Sequence, residues 1–593
     1  MLSVRSERLI QDHSNWCIQD CICPTIDILY CTNRSLNHIP ANLSSNLTTL
    51  FFDGNQIKDI FDYQFGGNPV MIRDLRLEYN LIYEISHRAF FGMSNLKSLH
   101  LEYNRIESLH LQLFNSLTEL KELYLDNNQI KELPVGIFSE LKKVKFLPLQ
   151  NNTIKILNGG IFTGMKSLET LDLSHNRIEF ISATAFKGLI KLRKLDISYN
   201  YLKRLPWDSF SHVPSLQMFF GASNSISKLR DFELSTVADL KILDLSNNKI
   251  LGIENDAFLN LEKLRRLLLA NNSLHKLPNF SNVPSLEYLD LNNNEIFYVP
   301  AFGLSGLKRL SYISLENNRI IEIDSDAFND VGSSYTFRLS LQGNNISRLP
   351  ATVFKNLQEN SFHFNLDITN NPFHCNCQMT AFYMWFKNVD NSWKDQIVCE
   401  TPIGLHGTPL IDLQENRFVC LAPQIVARVS KIYALEGQTA CIPCPVYSDP
   451  YPQYAWSRND LHNISAQPKE RFTISHDGTL CISRATLRDS GKWICDAKNK
   501  EGKLELTTYL DVIPIQQEQT FTLLFISIGL LLMSLAVLCF ALVLFFKKER
   551  NVTNQNPSNR KRIEKEQKER NSSVKYYSSP ISSLLANHGQ TKL

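Results

Sequence analysis

The chain has 593 residues, of which 43% are hydrophobic and 20% charged, and a formal net charge of +3. That length exceeds one compact core, so several domains are expected. Residues 547–593 hold eleven Lys/Arg and four Glu, a net of +7 that leaves −4 on residues 1–546; the basic character is that of a tail and excludes a folded nucleic-acid-binding surface.

Residues 1–16 stay unassigned. The opening MLSVRSERLIQDHSNWC has no apolar h-region, whereas the large N-terminal part argued below to lie outside the cell calls for a signal peptide. We expect a truncated first exon. A cytosolic N-terminus is the alternative, and the cysteines and glycosylation sequons oppose it. A cluster follows within residues 17–46: Cys17-x3-Cys21-x-Cys23-x7-Cys31.

Residues 47–371 repeat. The stretch LETLDLSHNRIEFISATAF fits LxxLxLxxNxIxxLxxxxF, the leucine-rich repeat, and its Asn recurs at 55, 80, 104, 128, 152, 176, 200, 224, 248, 272, 294, 318, 344 and 371. The spacing is 24 eight times in succession and departs from it only toward the ends, so 13–14 repeats are expected. Each LxL should form a short strand with both apolar side chains inward and the residue between them on a concave face. Asn suits the sharp turn that follows, because its amide can satisfy unpaired backbone groups inside the stack. Phe recurs ten residues later, at 65, 90, 114, 138, 162, 186, 210, 258, 328 and 354, and should form an aromatic spine on the convex side. No repeat buries its own apolar face, so stability comes from neighbours.

The concave slots carry Asp172, Asp196, Asp244 and Asp290. They suggest calcium, but Asp is a common consensus residue there, and adjacent carboxylates would lie one strand spacing apart, about 5 Å. The repeat around Asn224 slips: LQMFFGASNSI places Phe219 and Gly221 in the inward slots and Phe220 in the outward one. An exposed Phe220, with Asp196 and Asp244 on flanking strands and Tyr199 and Met218 nearby, reads as a partner-binding anchor. The competing reading is that Phe220 compensates locally for the missing leucines.

After the last repeat stand Cys375, Cys377, Cys399 and Cys420, within residues 372–422. Spacing alone allows zinc at either cysteine cluster, although an oxidising compartment favours disulfides. Both clusters resemble the cysteine-rich caps of extracellular leucine-rich-repeat proteins. That resemblance implies the pairs Cys17–Cys23, Cys21–Cys31, Cys375–Cys399 and Cys377–Cys420. Sequons at Asn33, Asn42, Asn46, Asn151, Asn271, Asn279, Asn345 and Asn463 agree with an outside location; Asn551 and Asn571 also match but fall on the cytosolic side and should stay bare.

Residues 423–513 read as an all-β module with EGQTACIPC, Trp456, DGTLCI and DSGKWIC. They resemble an immunoglobulin domain of the intermediate type. The resemblance implies a Cys444–Cys495 inter-sheet disulfide under Trp456 and an Arg471–Asp489 ion pair. Trp493 stands where such domains usually have Tyr, which puts the corner hydrogen bond in question. Cys441, three residues before Cys444, should point outward, as should Cys481 between the inward Leu480 and Ile482. In this fold the two strands are neighbours, so a cross-strand Cys441–Cys481 bridge is expected. Two cysteines three apart on an extended strand can neither jointly chelate zinc nor act as a thioredoxin-type pair, which needs a helix N-terminus.

A linker, 514–520, leads to residues 521–546, 26 residues without a charge and enough for one membrane-spanning helix. Lys547, Lys548 and Arg550 follow at once, while residues 504–520 contain no Lys or Arg; the positive-inside rule places the tail in the cytosol. The tail, 547–593, is too short for a kinase or Toll-type signalling domain and should be a disordered chain near anionic lipid. Tyr576-Tyr577 and Ser579-Pro580 are weak phosphosite patterns, and Thr591, Lys592 and Leu593 fit the C-terminal pattern read by PDZ domains.

No catalytic motif is found, and no cofactor is expected. The expected class is an α/β leucine-rich-repeat solenoid, then an all-β immunoglobulin-like sandwich and one transmembrane helix. This order resembles the LINGO and LRIG families, with AMIGO and the netrin-G ligands as more distant cousins. A single immunoglobulin domain is as in LINGO, against three in LRIG. The resemblance implies a plasma-membrane, type I, non-enzymatic recognition protein: an adhesion molecule, co-receptor or modulator of receptor kinases, homophilic or heterophilic. A sensor for soluble or microbial ligands that signals through a partner chain is the alternative, and a shed or matrix-associated structural protein comes third.

Overall fold

The computed structural model describes residues 17–514 and 529–538, apart from 67, 333–334, 351, 362, 389–393, 459–460 and 465–470. Residues 1–16, the linker beyond residue 514, most of the apolar run 521–546 and the whole tail lie outside the described residues. Residues 529–538 are helical with exposed apolar side chains. Among the described residues no helix is long and apolar enough to cross a membrane. The chain divides into two units, taken here in turn.

In the first unit, sixteen short strands form one sheet among the described residues. The hairpin Ile22–Thr25 and Ile28–Tyr30 is antiparallel, and the strands that follow run parallel. The strand Thr170–Asp172 shows why. Leu171 and Leu173 are fully buried while Asp172 between them is half-buried, so strand alternation sorts one face into the core and one toward solvent. Parallel pairing then sets equivalent slots side by side: Thr170 opposite Lys194 and Asp172 opposite Asp196.

All fourteen ladder asparagines are buried, and each ties two repeats together. Asn200 Nδ2 donates to the carbonyls of Ile197 in its own repeat and Leu173 in the preceding one, both at 3.0 Å. Its Oδ1 accepts from the Ile178 N–H at 2.8 Å. The same set of bonds recurs at Asn80, Asn128 and Asn318. One amide thus satisfies backbone groups that neither sheet nor helix would pair, in the low-polarity interior where an orphan is most costly.

The side opposite the sheet departs from an α/β description. It is built mainly of turns and two-stranded ribbons such as Asp59–Ile60 with Glu84–Ile85. Among the described residues of the repeats, α-helix is confined to Trp207–Phe210 and Lys355–Asn360. A 24-residue repeat spends its length on a strand, the Asn turn and the Phe anchor, and too few residues remain for a stable helix. The Phe spine is present: Phe114, Phe138, Phe162 and Phe186 stack at 6.1, 5.9 and 6.3 Å between centroids.

The ends of this unit carry the disulfides Cys17–Cys23, Cys21–Cys31, Cys375–Cys399 and Cys377–Cys420. At the second end the helix Thr380–Lys387 buries Phe382, Tyr383 and Phe386, which shields the last repeat from water.

The second unit has a five-stranded sheet ordered Lys431–Leu435, Gly502–Ile513, Gly491–Asn499, Gln453–Arg458, Leu461–Ile464, and a three-stranded sheet Ala440–Ile442, Leu480–Ile482, Phe472–Ile474. The Cys444–Cys495 bridge and Trp456 share one buried cluster. Cys444 lies just beyond its strand, which ends at Ile442. Cys441 and Cys481 face each other in antiparallel register on the outer side and are joined. Trp493 is fully buried, and its indole N–H donates to the Asp489 carbonyl at 3.0 Å. The indole therefore makes the backward bond expected of the usual tyrosine. Arg471 reaches Asp489 Oδ2 at 2.6 Å. Burial alone would push the Asp489 carboxyl up, but hydrogen bonds from Thr486 and Arg471 outweigh it and hold the group below its ordinary range.

Two outcomes test this account. Asn200→Ala should destabilise the solenoid by about 1–3 kcal/mol in urea unfolding, since it orphans the buried Ile178 N–H and takes one of two asparagine donors from each of the Leu173 and Ile197 carbonyls; an unchanged curve would contradict the ladder. Non-reducing peptide mapping should recover 441–481 beside 444–495. Removing the outer bridge should cost at most about 2–4 kcal/mol, and less where the sheet already fixes both strands. Free thiols at Cys441 and Cys481 would refute the pairing.

Candidate functional site

The open sheet face of the repeats is the candidate site, and register decides what it presents. Phe220 lies opposite Asp196 on one side and Asp244 on the other. Met218 is on the same strand, two residues back and on the same face, between Lys194 and Ile242. Phe220 is half-buried rather than exposed. Its neighbours stand one strand spacing away on both sides, and the Lys194 ammonium sits 5.2 Å from its ring centroid, a cation–π distance.

The missing leucines are compensated elsewhere. Phe219 is fully buried, and a Cβ added at Gly221 would come within 3.1 Å of the Phe219 ring and 3.2 Å of Leu245. The large Phe219 side chain thus occupies the volume that Gly221 leaves open. Phe220 is not needed for that purpose.

Tyr199 belongs to a different part of the surface. It is exposed and has φ of 54°, like the residues just before the ladder Asn in neighbouring repeats: Asn151, His175, Ser223 and Asn271, all at 52–55°. These form a column along one edge of the face, and His175 stacks on Tyr199 at 4.1 Å. The sequon residues Asn151 and Asn271 stand in that column. Asn33, Asn42, Asn46, Asn279 and Asn345 are exposed as well, and Asn463 lies on the strand Leu461–Ile464.

The four aspartates are not a contiguous carboxylate row. Asp172 and Asp196 are neighbours, but Phe220 separates Asp196 from Asp244, and Leu268 separates Asp244 from Asp290. Each carboxylate is also engaged locally. Asp172 Oδ1 accepts from the Ser174 N–H and hydroxyl at 2.9 and 2.7 Å, and Asp244 does the same with Ser246 at 3.0 and 2.7 Å. Asp196 and Asp290 accept from the N–H two residues on. This bonding favours a turn role over calcium. Burial, then the Asp172 charge, pushes the Asp196 carboxyl up.

A second cluster was missed in the sequence. Glu78, His100 and Glu102 come together where two adjacent repeats, LRLEYN and LHLEYN, repeat the same outward slots. Burial, and beyond it the Glu102 charge, lifts the Glu78 carboxyl above its ordinary range, against the pull of its own backbone hydrogen bond and of His100. The paired Glu-Tyr-Asn strings were the available signal.

The comparisons with known proteins agree with this architecture. The family described as leucine rich repeat matches overlapping stretches covering residues 45–220 and 222–320, and the immunoglobulin I-set domain matches 423–512. Leucine-rich repeat and fibronectin type-III domain-containing protein 2 of Rattus norvegicus is 30% identical over 190 residues, 30% of this chain and 23% of the relative. Leucine-rich repeat and fibronectin type III domain-containing protein 1 of Danio rerio is 30% identical over 190 residues, 30% of this chain and 31% of that protein. The match thus spans less than a third of either relative. Among solved structures, the Toll–Spatzle complex of Drosophila shares the fold, with a TM-score of 0.53 at 21% identity over 65% of this chain and 57% of that one. The chain is a leucine-rich-repeat protein that carries an immunoglobulin I-set domain.

Proposed function

We propose that the chain is a type I single-pass cell-surface recognition protein, an adhesion molecule, co-receptor or receptor modulator. It binds extracellular or cell-surface proteins through the sheet face of its repeats and through the immunoglobulin domain. The charge-free run 521–546 with Lys547, Lys548 and Arg550 behind it supports the membrane span and its orientation. Exposed sequons on the repeats support an outside location.

One observation carries the binding patch. Phe219 already fills the space left by Gly221, so the apolar ring of Phe220 on a solvent-facing slot has no packing duty. Beside Met218 and between two carboxylates, it has the composition of an anchor with a polar surround. If glycosylated, Asn151 and Asn271 would frame this window from one edge.

The test is a screen of the secreted ectodomain, with a signal peptide supplied, against cell-surface and soluble proteins. Phe220→Ala should fold and secrete normally and bind the partner at least about tenfold more weakly, roughly 1.4 kcal/mol. Wild-type affinity in the well-folded variant would remove Phe220 from the interface. Orientation is checked separately: tail-directed antibody should stain only permeabilised cells, and staining of intact cells would invert the topology.

A further inference from the structure

Two adjacent strands, Asp74–Arg76 and Ser98–His100, bring Glu78, His100 and Glu102 together on the sheet face. One oxygen from each glutamate and one imidazole nitrogen all lie within 4.8 Å of one another. Glu78 is only 9% exposed. Its Oε2 and the Oε2 of Glu102 are both buried without a hydrogen-bond partner. Two unsatisfied carboxylate oxygens beside an imidazole are costly unless a cation serves them.

The hydrogen bonds around His100 make the requirement specific. Ser98 Oγ donates to Glu122 Oε2 at 3.1 Å, and a carboxylate can only accept. A serine has one hydroxyl proton, so its contact with His100 Nε2 at 2.9 Å must be one in which the imidazole donates. That leaves Nδ1 facing Glu102 Oε1 at 3.1 Å. A bare nitrogen lone pair and a carboxylate would repel there, so a positive species must lie between them: a proton or a metal ion. Arg76 does not fill this role, because it reaches Glu78 Oε1 only at 3.8 Å and lies over the Phe51 ring.

We propose that Glu78, His100 and Glu102 form a site for a divalent transition-metal ion of the zinc type. One imidazole with two carboxylates is a zinc-type donor set, whereas calcium and magnesium prefer all-oxygen ligands. The Nε2–H···Ser98···Glu122 relay orients the ring with Nδ1 as the ligating atom, as second-shell partners of metal-bound histidines do. Bonds of about 2.0–2.2 Å set zinc ligands about 3.4 Å apart, which these side chains reach by closing little more than about an ångström. Three protein ligands leave the fourth position of a tetrahedral ion for a water or other exogenous ligand.

The test is ZnCl2 titration by calorimetry of the purified full chain in detergent, beside Glu102→Gln and His100→Gln, each with its fold checked by circular dichroism. The wild type should take up Zn2+ at one tight site, and each variant should bind it more than about tenfold more weakly, since loss of outer-shell partners alone costs about 10–100-fold. Asp172→Asn, remote from the cluster, should bind as the wild type does. No tight uptake by the wild type would leave a proton as the bridging species and overturn the proposal. Unchanged uptake by both folded variants would place the zinc elsewhere and overturn it equally.

Discussion

The first unit depends on a single amide repeated fourteen times. Each ladder asparagine bonds within its own repeat and back to the preceding one, so no turn is satisfied by its own repeat alone. Asn200 needs the Leu173 carbonyl and the Ile178 N–H, and Asn224 in turn needs the Ile197 carbonyl. Cooperativity therefore runs along the stack, in addition to the apolar contacts that repeats share. The same turn forces the residue before every one of these asparagines into the left-handed region, which bulky side chains seldom enter. At Tyr79 and Tyr103 two rings accept that backbone and stack at 4.4 Å.

Where the pattern breaks, a neighbour with longer reach fills in. Phe219 extends into the space of Gly221, and the indole of Trp493 spans to the Asp489 carbonyl in place of a phenol. Both repairs are made inside the core. In the first case the repair frees an aromatic residue on the sheet face.

The solenoid and the sandwich were legible because each rests on local, periodic demands: an Asn in every turn, apolar residues two apart, a Cys and a Trp at fixed separation. Facing direction was legible too, since alternation along a strand assigns Cys441 and Cys481 to one side. What could not be read was the outcome of packing between strands. Phe220 looked exposed because nothing in its own strand announces Lys194 above its ring. Phe220 was already read between Asp196 and Asp244, and the register adds Leu268 between Asp244 and Asp290. Glu78 and Glu102 were not singled out at all, and their unsatisfied oxygens emerge only when two repeats are laid side by side. The turn-rich back of the repeats was hidden for another reason: the repeat consensus says little about residues between the Phe anchor and the next strand.

Repeat length varies from 22 to 27 residues toward the end of the stack, yet the face does not register the change. Arg266 lies opposite Tyr288 after 22 residues, Tyr312 opposite Arg338 after 26, and Arg338 opposite Asn365 after 27. The asparagine bonds persist across these steps as well. The differences in length fall between the paired slots, with the last two strands, Thr336–Ser340 and His363–Asp367, also running to five residues. Repeat length and footprint are thus free to diverge independently: residues can be gained or lost between the paired slots while the footprint offered to a partner keeps its spacing.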